Sequence, residues 1–93
     1  MSYYEKNKYS ISTHSFYRIK ERLNMRSKTD LELNIFVNEL INNSTDVIDT
    51  KKTLYVNTQI NDVYLVIDKI SNLVITATKI SHEKQIRIIE EDK

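Results

Sequence analysis

The 93-residue chain contains no glycine, no proline and no cysteine. Average usage would supply roughly six glycines and five prolines in a chain this long. Without glycine there is no glycine-rich phosphate loop and no dinucleotide fingerprint, since both need backbone that a Cβ would obstruct. Most nucleotide-dependent enzymes are thereby excluded. The left-handed positions of turns must fall to Asn and Asp instead. Without cysteine there are no disulfides and no thiolate metal sites. Long apolar runs are also missing: none approaches the roughly 20 residues that cross a bilayer. Residues 1–6, Met-Ser-Tyr-Tyr-Glu-Lys, have no apolar signal core, so a cytoplasmic protein with no membrane role is expected. A large charge of one sign is lacking too, because the net charge is only +1. That balance is far from a dedicated nucleic-acid binder and excludes a strongly acidic mimic of DNA.

What is present fits one soluble domain spanning 1–93, with 40% apolar and 29% charged residues. Ile, Lys and Asn dominate the composition, a bias of AT-rich coding that also accounts for the missing glycine and proline. The charge is polarised along the chain. Residues 1–28 carry seven Lys/Arg against two acids, whereas 29–93 carry seven against eleven.

Residues 1–10 form a polar, tyrosine-bearing arm, with a short strand expected around 9–12. A first helix begins after Ser12 or Thr13, either of which can cap it, and runs to about Met25. Arg26-Ser27-Lys28 breaks the pattern. Thr29-Asp30-Leu31-Glu32 is a capping box, and Leu33, Phe36, Val37, Leu40 and Ile41 follow at helical spacing up to Asn42-Asn43-Ser44. The period then changes to two. Strands are expected at 46–50, 53–58, 62–67 and 73–80, joined by turns at 51–52, 59–61 and 68–72. In the third strand both faces are apolar, as suits a central position. Residues 85–89 read as a further strand or docked tail after a break at 81–84. The fold expected is α+β, with two N-terminal helices (12–43) packed on a four- to five-stranded antiparallel meander (46–89) and an acidic tail (90–93).

The chemistry concentrates in the first helix. His14, Arg18 and Arg22 recur at i, i+4 and i+8 and share one face. Metal-independent cleavage of RNA needs a base, an acid and cations on the phosphorane. The imidazole side chain in general exchanges protons near neutral pH, which makes His14 a candidate acid or base, and Arg18 and Arg22 can grip a phosphate bidentately. The same trio also reads as a solvated helix face, with His14 near the helix start and the arginines paired to acids. Arg26 and Lys28 extend the positive end, and Tyr17 sits beside it. On the sheet side Tyr64, Lys79 and His82 are the candidate binding residues, His82 completing a two-histidine site if the chain brings it to His14. Stacking of bases on tyrosines is one use of these rings; packing in the core or rim is the other. No ligand spacing for a metal is present, and no cofactor is expected.

The pattern His-x3-Arg-x2-Glu-Arg (His14, Arg18, Glu21, Arg22), preceding a second helix and a four-stranded meander, resembles small bacterial and phage domains of the RelE and BrnT toxin type. These belong to the wider barnase, EndoU, colicin and RelE-like group. The resemblance covers about residues 10–80. It implies two helices packed on a twisted antiparallel sheet, RNA cleavage without metal at the ribosome, and an antitoxin partner. Such toxins carry catalytic residues on the sheet and C-terminal strand, where this chain offers Tyr55, Tyr64, Lys79, His82 and Arg87 without motif spacing.

Three functions follow. The leading one is a small interaction protein on a RelE-like scaffold that binds and modulates a host or defence macromolecule. The second is a metal-independent endoribonuclease of a toxin–antitoxin pair. The third is a non-catalytic RNA- or DNA-binding accessory. An apolar sheet with an open edge also admits a homodimer or an antitoxin-like partner.

Overall fold

The computed structural model describes residues 8–60 and 62–92. Most of the polar arm at 1–7 therefore lies outside the described residues, as do Asn61 of the expected 59–61 turn and Lys93. Strand β1 is Ser10–Ile11, and a 3-10 turn at Thr13–Ser15 leads into α1, Phe16–Arg22. Helix α2 is Asp30–Asn43. Strands β2 (Val47–Asp49), β3 (Thr53–Asn57), β4 (Val63–Asp68) and β5 (Leu73–Lys79) follow, and α3, His82–Glu91, closes the order. The architecture is α+β.

Strands β2 to β5 form the expected antiparallel meander, in the spatial order β1-β5-β4-β3-β2. The sheet is nevertheless mixed, because β1 lies parallel to β5 with Ser10 opposite Leu73 and Ile11 opposite Val74. The cause lies in β1's backbone: Ser10 N–H donates to the Asn72 carbonyl and Ser12 N–H to the Val74 carbonyl, both at 3.1 Å. From α2, Asn38 grips the backbone of Tyr9, accepting its N–H at 2.9 Å and donating to its carbonyl at 2.8 Å.

Burial divides the sheet into two faces. Val56, Val63, Leu65, Ile67, Val74 and Ala77 pack against Ile19 and Leu23 of the α1 segment and Leu33, Val37 and Ile41 of α2. Alternation puts Tyr55 and Tyr64 on the opposite face, where Tyr64 meets Ile48, Ile80 and the half-buried Ile88 of α3. Residues 63–67 of β4 are all buried, as a strand covered on both faces requires.

The C-terminal expectation is corrected. Residues 85–89 are neither strand nor tail; they lie inside α3, and the sheet ends at Lys79 rather than near 89. The Ser81 hydroxyl caps this helix by accepting Lys84 N–H at 3.2 Å, and helical spacing turns Gln85 and Ile88 toward the sheet while Ile86 and Ile89 stay exposed. Nor do 90–92 form a separate acidic tail, Lys93 lying outside the described residues. Glu90 and Glu91 are the last residues of α3, and Asp92 accepts the Lys51 N–H at 2.9 Å. Hence the helices are not all N-terminal, and they flank the sheet on both faces.

Helix α2 carries the capping box that its sequence predicts. The Thr29 hydroxyl accepts Glu32 N–H and the Glu32 carboxylate accepts Thr29 N–H, both at 3.1 Å. The helix between 12 and 25 is shorter than expected, since its start is 3-10 and Asn24 takes a left-handed φ of 56° that ends it. Asp62 (φ 60°) and Asn72 (φ 57°) fill the other left-handed turns as expected, but Gln59 (φ 65°) is an addition.

Candidate functional site

The candidate site is built on the way Ser12-Thr13-His14-Ser15 is fastened to the sheet. Strand β5 contains a bulge: Val66 pairs with Thr76 and Ile67 with Val74, so Ile75 has no partner on β4. The buried Ser15 hydroxyl donates to the Ile75 carbonyl, and the Ser12 hydroxyl contacts Ser15 Oγ. Because the one proton of Ser15 is used on Ile75, Ser12 must be the donor to Ser15. This relay clamps the 3-10 turn on the bulge and presents His14 outward. The two serines are structural anchors, a role that sequence reading missed; small hydroxyls either side of an outward histidine were the available signal.

Beyond the turn, helical spacing aligns His14, Tyr17, Arg18, Glu21 and Arg22 along α1, while Ile19 and Leu23 are buried beneath. All five aligned residues are exposed, and Tyr17 is 71% exposed. Arg18 and Arg22 have no acidic partner among the described residues. Their neighbours do: Lys20 pairs with Asp30 at 2.6 Å, Arg26 with Glu21 at 3.8 Å and Lys28 with Glu32 at 3.9 Å. Arg26 and Lys28 are therefore partly neutralised, and the expected basic patch narrows to two arginines, a histidine and a tyrosine.

The sheet-side residues do not join this stripe. Tyr64 is 3% exposed on the opposite face, so it offers no ring for stacking. Its hydroxyl accepts from Asn57 Nδ2 at 3.3 Å. Burial, with help from the Asp46 carboxylate, pushes its pKa above the usual tyrosine value, against the hydrogen bonds of Asn57 and Gln85. Lys79 ends β5, about 13 Å along the strand from the bulge at Ile75. His82 opens α3, which covers the face opposite α1. His14 and His82 consequently do not form a two-histidine site. Among the described residues no group of three or more His, Asp and Glu is placed to hold a metal ion, and no helix is long and apolar enough to cross a membrane.

No family profile, curated protein or solved structure matches this chain.

A second feature lies at the C-terminal end of α2. The C-terminal end of α2 and the end of β3 enclose an open groove of about 350 Å³, lined by Phe36, Glu39, Leu40, Asn43, Asn57 and Gln59 among others. Asn57 is fixed there, donating to Asp46 at 2.7 Å and accepting the Gln59 N–H at 2.7 Å. Sequence reading did not find this groove, because α2 and β3 are joined only by the fold.

Proposed function

We propose that the chain is a binding protein on a RelE-like scaffold and that its α1 stripe docks on an acidic surface of a host, defence or antitoxin-like protein. The observation that carries this reading is the pair Arg18 and Arg22, exposed one turn apart and free of acidic partners among the described residues, with Tyr17 alongside. Such guanidinium groups take carboxylates bidentately, and Arg and Tyr are enriched where protein surfaces meet. The order strand, two helices, antiparallel meander supports the scaffold part of the reading. A pull-down from the native host with mass spectrometry tests it. Wild-type protein retains a specific partner and Arg18→Glu/Arg22→Glu does not; a partnerless pull-down, or equal capture by both, defeats the proposal.

One observation keeps a second reading, a metal-independent endoribonuclease. His14 is rigidly mounted by the serine relay one turn from Arg18. Cleavage needs a second proton-transfer group, and Tyr64 and the helix that His82 opens lie on the opposite face of the sheet. RNA cleavage without metal, abolished by His14→Ala in a folded protein, is the result that would establish this reading. RNA bound but left intact would favour the nucleic-acid accessory instead.

A further inference from the structure

We propose that the groove between the end of α2 and the end of β3 binds a small organic cation, an ammonium or guanidinium carried on a short apolar stem. This inference is independent of the function assigned to α1. The groove's volume of about 350 Å³ lies at the lower end of the range for small-molecule sites. Phe36 and Leu40 supply an apolar wall for the stem, and an aromatic face attracts a nearby cation. The charged lining is of one sign: among the described residues Glu39 is the only ionisable one of the wall, with no Lys, Arg or His beside it. Glu39 has no ion-pair partner among the described residues.

The backbone adds to this polarity. Helix α2 ends at Asn43 with Ser44 extended and no basic side chain in its last turn. The last four carbonyls of a helix lack intrahelical donors and carry the negative end of its dipole. Leu40 and Asn43, both of that final turn, line the groove. Opposite them the Asn57 side chain is committed to Asp46 and to Gln59 N–H, which brings a further carboxylate behind the wall. An anion would be repelled by Glu39 and by the negative end of the helix dipole, and a neutral guest would gain only the apolar wall. A primary ammonium brings three donors and a guanidinium five, so the groove favours cations over both.

The test is amide NMR titration of the full chain with n-pentylamine, using n-pentanol as the uncharged match. Saturable shifts confined to Glu39, Asn43, Thr45 and Gln59 with the amine, and absent with the alcohol, are the expected result. Glu39→Gln, a substitution at an exposed site, should weaken the amine about five-fold, the scale of a partly exposed ion pair, while leaving the spectrum otherwise native. Running N-acetyl-lysine methylamide beside the amine distinguishes a free amine from a lysine side chain presented on a peptide; tighter binding of the peptide form assigns the site to a partner's lysine. Equal response to amine and alcohol, shifts outside the groove, or an unchanged affinity in Glu39→Gln would overturn the proposal.

Discussion

Asn38 holds both backbone groups of Tyr9 at once, accepting the N–H through Oδ1 at 2.9 Å and donating to the carbonyl through Nδ2 at 2.8 Å. The same Nδ2 reaches the Asn34 carbonyl and side-chain oxygen, so a side chain only 1% exposed is fully used. A helix interior thus completes the hydrogen bonding of a strand that has only two residues of its own. Asn38→Ala should destabilise the protein by about 2–3 kcal/mol, since both Tyr9 groups lose their partner. Urea unfolding measures the loss, and amide exchange at Ser10 and Ser12 should rise first. A loss under about 0.5 kcal/mol would show that β1 is held by β5 alone.

Gln59 occupies left-handed backbone at φ 65° in a chain without a single glycine. That conformation costs a residue with a Cβ roughly 1–2 kcal/mol, against the roughly 0.5–1 kcal/mol of extra chain entropy that glycine loses. Gln59→Gly should therefore raise stability by about 0.5–1 kcal/mol, read as a higher denaturation midpoint with an unchanged slope.

Glu32 is held below the ordinary glutamate value of 4.5, chiefly by the Thr29 backbone hydrogen bond and then by the Thr29 hydroxyl, with Lys28 adding less. A depressed folded value means that the unfolded chain takes up the proton first as pH falls. The contribution of Glu32 is present above pH 4.5 and disappears as pH drops through its lower folded value. Glu32→Gln should flatten that acid limb of the stability curve, as followed by thermal melts across pH.

Tyr64 shifts in the opposite direction. Burial raises its folded value above 10.0, so the stability attached to the neutral ring is complete below pH 10.0 and is lost as pH climbs through the raised value. Ultraviolet titration should show a late-ionising step that belongs to Tyr64, and Tyr64→Phe should remove both that step and part of the alkaline destabilisation. A titration unchanged by Tyr64→Phe in its late step would contradict the burial of this ring beneath α3.

Arg18 and Arg22 touch no acid among the described residues, so their removal should leave the fold intact. Arg18→Ala/Arg22→Ala is expected to unfold within about 0.5 kcal/mol of wild type. Partner capture, if it runs through these guanidinium groups, should weaken in the double variant and should weaken in wild type as salt is raised. A large stability loss would mean that the arginines serve the fold instead.

Much of this architecture is legible in the residues. Thr29 and Glu32 announce α2, and the alternation through Val63, Leu65 and Ile67 announces a strand buried on both sides. The errors have physical sources. Ile86, Ile88 and Ile89 read as easily with period two as with period 3.6, and what decides for a helix is the cap at Ser81 together with the inward turn of Gln85 and Ile88. The parallel seat of β1 depends on Asn38, Asn72 and Val74, residues far apart in the chain, and no local pattern encodes it. At the candidate site, spacing along one helix predicted the stripe from His14 to Arg22. Convergence with Tyr64 and His82 required knowing the face and end of the sheet on which each would fall, and the fold separates them.

The parallel pairing of β1 with β5 also sets an order of events during synthesis. Ser10 and Ile11 find their neighbours only at Leu73 and Val74, so the beginning of the domain must wait for nearly all of it to leave the ribosome. Until then Ser15 has no bulge to grip, and the turn that presents His14 stays unanchored. The arginine-bearing stripe of α1 is made early and seated late, so a truncated product ending before β5 would carry these arginines without the bulge that anchors the turn in front of them.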